Sequence, residues 1–499
     1  MAWITQCTYL RIHNHISILP CRSPLWIDGK EVTTDVVFDV QSPQLSKPIW
    51  KCYGASKKEA IAAVESSERA FKTWKKTKPQ VIRNILLKAA DILEERMAEY
   101  GSYQMQETGA QEPLVMGFML PTTIEQIRDV AGRCTTLMGA IPDTSQEGTG
   151  AFIFKEPYGV NFGIAPWNAP YILGNRSYLY AIATGNTCIL KGSEFSPRCF
   201  WALGKAFHDA GLPAGVLNVL YHRPEDAVEV TNTIIEQPQV KKINFTGSTA
   251  VGAIISSKAG KELKPVVMEL GGKASAIVCK DADLDLAAME CAAGALIHSG
   301  QICMSTERVL VDKSILEPFT EKLKSSIEKI FPSSGEGPIL VAKPAVQKNK
   351  KLIEDAVSKG AKLVHGDVDT ALDKDNGYRL RPFIVTGLKK DMDLYYTESF
   401  GPSMSLIPFE NDDEAITIAN DTDYGLSGAI FTRNLGRGLK IAKEVDTGAI
   451  HINQMSVHDE AILPHGGVKK SGWGRFNSIW GMEEFLKTKT VTYRLFDEE

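Results

Sequence analysis

Residues 158–191 read YGVNFGIAPWNAPYILGNRSYLYAIATGNTCILK and begin a region, ending at Leu270, in which short apolar runs alternate with helix-length segments. The runs are typical of buried parallel strands, and they cover residues 160–164, 187–190, 217–221, 243–245 and 266–270. One intervening helix is clearly delimited, with Ser196 as its N-cap, Pro197 at its first position and Gly211 just beyond its end. This alternation predicts an α/β fold with a doubly wound, Rossmann-like sheet.

The same pattern extends in both directions along the chain. Upstream, apolar residues recur at helical spacing from Ala55 to Met97 and predict two amphipathic helices that meet near Pro79. Downstream, a second α/β domain is predicted from about Met268, with strands at residues 274–279, 308–311, 362–365, 383–385, 405–408, 427–431 and 449–453 and helices at 284–297, 315–330, 344–358 and 435–445. Residues 488–495 alternate like a strand that leaves the domain. Because such an edge is often covered by a partner chain, a homodimer or homotetramer is expected.

Composition restricts the classes of function that the chain can have. It has 499 residues, of which 43% are hydrophobic and 23% charged. This mix is typical of a folded protein of roughly three units rather than of one small binding module. Lys and Arg total 56 against 60 Asp and Glu, which gives a net charge of -4. Without a basic excess, binding to nucleic acid is not expected.

The spacing of the cysteines and the composition of the N-terminal residues indicate the cellular compartment. The nine cysteines form no CxxC pair or Cys/His cluster, which indicates a reducing compartment, no disulfide framework and no metal site. No membrane span is predicted, because the charge-free residues 157–175 contain three prolines. Residues 1–24 have Arg11 and Arg22 but no acidic residue, as in a mitochondrial transit peptide. Their low Ser and Arg density favours a loosely ordered extension on a cytoplasmic protein.

Two segments at predicted strand ends have the residue types of a nucleotide site. In residues 244–252, NFTGSTAVG, Gly247 lets phosphate oxygens approach the backbone and Ser248 can donate from a helix N-terminus. The segment lacks GxGxxG and a Walker pattern, so a plain helix-packing turn stays open. In residues 191–194, KGSE, Glu194 could accept hydrogen bonds from a ribose diol and repel a 2′-phosphate, which favours NAD over NADP. A surface Lys191 and Glu194 beside a helix cap are the alternative.

Further segments carry candidate catalytic groups. Cys303 follows a helix and has polar neighbours, where a thiolate could be both accessible and stabilised, whereas the other eight cysteines are expected to be buried packing residues. Glu269 ends an apolar strand, so its pKa is expected to be raised toward neutrality, as suits a general base. The alternative is an ion pair between Glu269 and Lys273. Asn168 lies in a rigid turn and could donate to an oxyanion, and Glu398 adds another carboxylate in a turn.

Together these segments resemble the aldehyde dehydrogenase superfamily over about residues 25–490. The motifs that carry the resemblance are PWN at 166–168, KGSE at 191–194, FTGST at 245–249, ELGGK at 269–273, GQIC at 300–303, ESFGP at 398–402 and PHGGVKKSGWGRF at 464–476. The resemblance implies that Cys303 is the nucleophile and Glu269 the general base, and that Asn168 and the Cys303 backbone N–H form the oxyanion hole. It also implies an NAD site, to which it assigns Ile164, Pro166, Trp167, Lys191, Ser193, Glu194, Gly247, Ser248, Leu270, Glu398 and Phe400.

The implied reaction joins thiolate to aldehyde, transfers hydride to NAD and hydrolyses the thioester with water activated by Glu269. GQICMSTERVLV at 300–311 and residues 168–176 are similar to the salicylaldehyde, vanillin and benzaldehyde dehydrogenase branch. That similarity implies a small aromatic aldehyde as substrate. The pocket residues it implies are Tyr171, Arg176, Tyr178, Ile302, Met304, His465 and the loop 457–463.

Some points stay open at this stage. The fork of Arg176 could meet a phenolic or carboxylate oxygen of the substrate, or form a structural ion pair. An aliphatic aldehyde or semialdehyde substrate, transfer of the acyl group to CoA, and a non-catalytic structural protein on the same fold are the alternatives to the leading function. The sequence also departs from the family in two places, with Gly192 where a Pro is usual and His298-Ser299 before Gly300.

The resemblance and the motifs together divide the chain into units. Residues 25–140 and 155–267 are expected to form the NAD-binding domain, and residues 268–453 the catalytic domain. Residues 141–154 and 482–499 are expected to form an oligomerisation arm. The segment 454–481 would return to close the active site, and residues 1–24 form the N-terminal extension.

Overall fold

The structure is a computed structural model that describes residues 22–367 and 377–496. Cys7, Cys21 and most of the predicted N-terminal extension lie outside the described residues. None of the helices within these two ranges is long and apolar enough to cross a membrane. The same ranges contain no group of three His, Cys, Asp or Glu side chains that could hold a metal ion.

The first sheet has the predicted parallel strands of the N-terminal half at its centre. Its strands lie in the order Gly472–Trp473, Val266–Glu269, Val240–Thr246, Val160–Ile164, Thr187–Lys191, Leu217–Leu220, Leu25–Ile27 and Lys30–Val32. The strands from 25–27 and 472–473 join the parallel core in antiparallel fashion. Chain order reverses between Val160–Ile164 and Val240–Thr246, so the carboxyl ends of these two strands border the crevice in which α/β sheets bind ligands.

The second sheet repeats this plan. Its strands lie in the order Lys362–His365, Phe383–Thr386, Ser403–Phe409, Thr306–Asp312, Ala274–Val278, Gly428–Phe431 and His451–Ile452. All neighbours are parallel except the edge strand Lys362–His365. The predicted strands are therefore confirmed with end shifts of a few residues, and the fold is α/β with two Rossmann-like sheets.

The helices begin and end where local chemistry predicts. Ser56 and Glu59 form a reciprocal capping box at the first helix, and Pro79 opens the second. The longer helices are Lys57–Trp74, Pro79–Glu95, Met97–Thr108, Leu120–Arg133, Pro170–Ala183, Pro197–Asp209, Ala227–Glu236, Thr249–Lys261, Leu284–Leu296, Leu316–Ile330, Lys343–Ser358, Asp412–Asn420, Leu435–Glu444 and Ser478–Glu484. Shorter turns of helix are Glu112–Leu114, Val115–Met119, Pro224–Asp226, Ile297–Gly300, Lys313–Ile315, Asp393–Tyr396 and Lys469–Ser471.

Two smaller sheets complete the described fold. Arg22–Ser23, Lys47–Tyr53 and Val37–Ser42 form one of them. In the other, Leu486–Arg494 pairs antiparallel with Thr149–Pro157 along its whole length, which confirms the predicted terminal strand. Its partner strand begins and ends later than the predicted arm segment 141–154. Aromatic side chains are exposed on this ribbon at Phe152, Phe154 and Tyr493.

Candidate active site

A cleft lies at the carboxyl ends of the first sheet, where Cys303 of the second half meets Glu269. Its volume is about 260 Å³. The loop after Val160–Ile164 and the turn after Val240–Thr246 form one side of it, as the reversal of strand order predicts. The residues that line the cleft are Pro166, Trp167, Asn168, Leu173, Thr246, Gly247, Ser248, Glu269, Leu270, Gly271, Cys303, Lys348, Glu398 and Phe400. The three predicted catalytic side chains are therefore brought together.

Cys303 is held by a tightly packed turn. His298, Ser299 and Gly300 all have positive φ (50°, 59° and 76°), and a Cβ on Gly300 would lie 2.1 Å from the Gly401 carbonyl oxygen. Cys303 is half-buried, whereas the other cysteines among the described residues are buried, as predicted. Burial, followed by the charges of Glu269 and Glu398, raises the pKa of the Cys303 thiol well above its usual value. The resting group is thus a thiol that needs a base, and the expectation of a stabilised thiolate was wrong because it did not count burial or the two carboxylates.

Glu269 is the carboxylate nearest to that thiol. The Cys303 Sγ donates to Glu269 Oε1 at 3.6 Å, and His465 Nε2 lies 3.1 Å from the same oxygen. Burial pushes the pKa of Glu269 up, but the charges of His465 and Arg176 outweigh burial and bring the pKa down to about 2. The prediction of a raised pKa was therefore wrong, because it counted the apolar strand and not His465 and Arg176, which the fold brings from elsewhere in the chain.

The alternative partner for Glu269, Lys273, points elsewhere. Its ammonium group pairs with the buried Glu307 and donates to the Thr397 carbonyl oxygen. Glu307 also accepts from the backbone N–H of Ser399 and Phe400, at 2.8 and 3.3 Å. This pair therefore supports the turn that carries Glu398 and Phe400, and it leaves Glu269 to its own cations.

Asn168 is tied to the loop of the nucleophile. Its Nδ2 donates to the Gln301 carbonyl oxygen at 2.9 Å, two residues before Cys303. His298 contacts the edge of the Trp167 ring, and burial lowers its pKa to about 4, so this histidine is neutral at ordinary pH. The amide of Asn168 is thus fixed beside the thiol by a contact that the sequence did not indicate.

Gly247 and Ser248, two of the predicted nucleotide residues, line the cleft at the end of the first sheet. Of the remaining set, Pro166, Trp167, Leu270, Glu398 and Phe400 also line it, whereas Ile164, Lys191, Ser193 and Glu194 lie outside its lining. Ser248 caps the helix Thr249–Lys261 through a 3.4 Å bond from the Val251 N–H, and the Gly247 N–H donates to the Glu269 carbonyl oxygen at 3.0 Å. Ile164 and Leu270 are buried at the ends of their strands. Positive charge from the helix N-terminus is consequently directed to the cleft.

Lys191 and Glu194 lie together at the next strand end. Lys191 Nζ is 4.0 Å from Glu194 Oε2, and the Ser193 hydroxyl donates to the same oxygen at 3.3 Å. Gly192, the departure from the family pattern, is explained by packing. Its Cβ would lie 2.3 Å from the buried ring of Phe200.

Glu398 and Phe400 close the cleft from the second half. Glu398 Oε1 accepts from the Gly272 N–H at 2.8 Å, and burial together with the charge of Glu307 raises the pKa of Glu398 to about 7. Phe400 has φ of 52° and contacts the edge of Trp167 with ring centroids 6.0 Å apart. Lys348, which the sequence reasoning missed, lines the cleft and donates to the Glu398 carbonyl oxygen at 2.9 Å. No motif in its helix signals that position.

The apolar side of the site differs in part from the predicted substrate pocket. Ile302 and Met304 pack with Val457, Leu426 and Cys303, next to the nucleophile. Tyr171 and Tyr178 do not face this region, so their assignment to the substrate pocket is corrected. Both are fully buried in the core of the first half, where the Tyr171 hydroxyl donates to the Tyr100 carbonyl oxygen and Tyr178 packs edge-on against Phe207.

Arg176 is buried rather than open to a ligand. Its Nη2 donates to Asp459 Oδ2, and its Nη1 lies 3.5 Å from Glu269 Oε2. Its guanidinium carbon is 5.8 Å from the centre of the Phe476 ring. The fork is thus engaged by protein carboxylates, which is the ion pair that stood as the alternative to a contact with substrate.

Comparisons with known proteins agree over nearly the whole chain. The family model described as Aldehyde dehydrogenase family matches residues 26–491. Vanillin dehydrogenase from a Pseudomonas species is 40% identical over 477 residues, which cover 94% of this chain and 97% of that protein. Salicylaldehyde dehydrogenase from Pseudomonas putida is 35% identical over 483 residues, covering 95% and 97%. The crystal structure of a salicylaldehyde dehydrogenase from Pseudomonas putida complexed with salicylaldehyde has a TM-score of 0.91 at 34% identity, covering 96% of this chain and 99% of that one.

Proposed function

Because the chain belongs to the aldehyde dehydrogenase family, we propose that it oxidises an aromatic aldehyde to the carboxylic acid with NAD as the hydride acceptor. The observation that carries this proposal is the contact of the Cys303 thiol with Glu269 in the cleft, next to the apolar cluster of Ile302 and Met304. Similarity to vanillin and salicylaldehyde dehydrogenases over the full chain supports the aromatic class.

The nucleotide side of the cleft fits a dinucleotide by its donor set. The N-terminus of Thr249–Lys261, with Gly247 in front of it, suits an anionic pyrophosphate. Thr246 Oγ1 is buried in the cleft wall and has no hydrogen-bond partner among the described residues. The Glu194 carboxylate would accept the adenosine ribose hydroxyls and repel a 2′-phosphate, which favours NAD over NADP. When bound, NAD would supply the acceptor for the aldehyde hydride.

The remaining chemistry falls to the chain's own residues. Glu269 Oε1 takes the thiol proton of Cys303 as the sulfur adds to the aldehyde carbon, because bonding to carbon acidifies a thiol that this carboxylate is otherwise too weak a base to ionise. The Asn168 amide and the Cys303 backbone N–H donate to the oxyanion that forms. After loss of hydride the acyl group is a thioester on Cys303. Glu269 first releases the thiol proton to solvent. It then takes a proton from the water that attacks the thioester and passes it to the departing Cys303 sulfur, which releases the carboxylic acid and restores the thiol.

The experiment that tests this function is a substrate panel followed by NADH absorbance. We expect kcat/KM for vanillin and salicylaldehyde to exceed that for hexanal and succinic semialdehyde, and NAD to be preferred over NADP. Faster turnover of the aliphatic aldehydes would overturn the aromatic assignment. Acceleration by added CoA, with acyl-CoA as product, would overturn the hydrolytic step.

Variants of two cysteines test the nucleophile. Cys303→Ala should abolish NADH formation, whereas Cys279→Ala, at a buried packing position, should retain it. Activity retained in the Cys303 variant would favour another nucleophile. Loss of activity in both variants would point to a general folding defect.

The proposal includes a homodimer or a tetramer of dimers, assembled through the ribbon of Thr149–Pro157 and Leu486–Arg494. Its exposed aromatic residues Phe152, Phe154 and Tyr493 support this role, since aromatic side chains are enriched at interfaces. We keep the division into an NAD-binding domain, a catalytic domain and this arm as part of the proposal. Light scattering on the wild type and on Phe154→Asp measures the oligomeric state, and a monomeric wild type would contradict the proposed assembly.

A further inference from the structure

A continuous row of buried polar side chains leads away from Glu269 into the segment 454–481. Arg176 stands next to Glu269, and Asp459 stands behind Arg176. Asp459 Oδ1 accepts from Asn477 Nδ2 at 2.9 Å, and Asn477 Oδ1 accepts from the Tyr180 hydroxyl at 3.0 Å. The side chains of Arg176, Asp459 and Glu269 are each at most 4% exposed, so the row is shielded from solvent.

Arg176 interacts more closely with the carboxylate of Asp459 than with that of Glu269. Arg176 Nη2 makes a direct hydrogen bond to Asp459, whereas Nη1 stops 3.5 Å from Glu269 Oε2. That oxygen of Glu269 is buried and has no hydrogen-bond partner within residues 22–367 and 377–496. The guanidinium is therefore held by Asp459, and it acts on Glu269 through charge alone.

We propose that Asp459 is a positioning residue for the reaction: by holding the Arg176 guanidinium it prevents Arg176 from closing onto Glu269, so that Glu269 stays free to take protons from Cys303 and from water. The inference rests on the proposed function, since it assigns a task within the same reaction. It goes beyond that function because neither the motifs nor the relatives' names give residue 459 a role.

The charges around Glu269 show why it matters that Arg176 bonds to Asp459 rather than to Glu269. The groups that face it are His465, Arg176 and the thiol of Cys303, and those that face Arg176 are Asp459, Glu269, Tyr180 and Cys303. Arginine and carboxylate form strong two-point hydrogen bonds when nothing competes. Without a charge at Asp459, Glu269 is the remaining carboxylate among these groups, and the guanidinium would turn to it.

Such a closed pair would affect the two halves of the reaction differently. A carboxylate bonded at two points to arginine is a weaker proton acceptor, and it is also held away from the water that must attack the thioester. The Cys303 thiol already donates to Glu269 Oε1, whereas Arg176 faces Oε2, so addition of the thiol keeps its contact while the attacking water loses the free oxygen. Thioester hydrolysis then becomes the slow step, so acylated enzyme accumulates while NADH has already formed.

Rapid-mixing measurements of NADH formation test this, with matched variants. In Asp459→Asn we expect a burst of about one NADH per active site, followed by a steady-state rate lowered about tenfold or more, and the acyl thioester visible by intact mass. The KM for aldehyde should fall together with the steady-state rate, because acylated enzyme accumulates. Asp39→Asn is the control, because Asp39 is exposed and its carboxylate pairs with Lys51 away from the cleft; it should behave as wild type.

The double variant Asp459→Asn with Arg176→Gln separates this role from a structural one. It removes both buried charges and the group that would close onto Glu269, so it should fold and should recover most of the steady-state rate relative to the burst. A double variant as slow in hydrolysis as the single one would overturn the proposal. So would an Asp459→Asn variant whose burst and steady state fall in the same proportion.

The choice of aldehyde keeps this test distinct from that of the proposed function. Every variant is measured with the aldehyde, vanillin or hexanal, for which the wild type has the higher kcat/KM. A preference for hexanal would refute the aromatic assignment, while the ratio of burst to steady state still decides the role of Asp459.

Discussion

Gly192 provides a sharp test of how packing shapes the nucleotide side of the cleft. It lies between Lys191 and Glu194, at a position where related enzymes usually have Pro. A Cβ at Gly192 would lie 2.3 and 2.4 Å from two ring atoms of Phe200, and Phe200 is fully buried. The Gly192 N–H also donates to the Leu220 carbonyl oxygen at 2.8 Å. We therefore expect both Gly192→Ala and Gly192→Pro to be destabilising.

The two substitutions should cost different amounts of free energy of unfolding. Gly192→Ala adds a methyl group that a buried ring must yield to, and such overpacking costs about 1–3 kcal/mol. Gly192→Pro adds the same crowding and removes the donor for Leu220, which leaves a buried carbonyl at about 1–3 kcal/mol more. The Pro variant should thus lose about 2–6 kcal/mol in total by the same estimates.

Urea unfolding followed by tryptophan fluorescence measures these costs, and the KM for NAD reports on Lys191 and Glu194. Gly132→Ala is the matched control, since a Cβ there meets nothing within 4 Å on an exposed helix position. It should be neutral or stabilising by up to about 1 kcal/mol. A Gly192→Pro variant as stable as wild type, with an unchanged KM for NAD, would refute the packing explanation.

Other predictions concern single groups of the cleft. Burial and the charge of Glu307 place the pKa of Glu398 at about 7, so the carboxylate that we propose for the nicotinamide ribose should form, and the Kd for NAD should fall, as the pH rises through that value. Because this pKa lies above the ordinary value of 4.5, the stability of the fold should fall as the pH rises from 4.5 to about 7, and Glu398→Gln should remove both trends in fluorescence titrations and urea unfolding. Asn168→Ala should lower kcat by about 10²–10³ in steady-state assays, and a smaller loss would argue against an oxyanion role. Tyr171→Phe should cost about 1–3 kcal/mol in urea unfolding, because the buried Tyr100 carbonyl loses its donor, while the KM for vanillin stays the same. A changed KM for vanillin would indicate that Tyr171 lines the substrate pocket after all.

The parts of the site that follow from sequence are those set by local chain geometry. Apolar runs with flanking caps predict the strands, and parallel strands bring their carboxyl ends to one edge of a sheet. Gly247, Ser248 and Glu269 each lie at such an end, so their meeting in one cleft follows from the order of the strands. Tyr171 shows the limit of this reasoning. Its helix, Pro170–Ala183, is buried on every side, so sequence periodicity cannot tell which face meets the substrate.

Local sequence patterns also cannot predict which charged side chains the fold brings together from distant parts of the chain. Arg176 and Asp459 are 283 residues apart in the chain, and Glu269 and His465 are 196 apart. No local pattern relates them, yet His465 and Arg176 reverse the direction in which the pKa of Glu269 is shifted. A pKa depends on the sum of burial, which acts from the neighbouring strand, and charge, which acts from whatever the fold brings near. The basicity of Glu269 is therefore a property of the returning segment 454–481 as much as of its own strand, so substitutions in that segment should alter catalysis without touching the substrate.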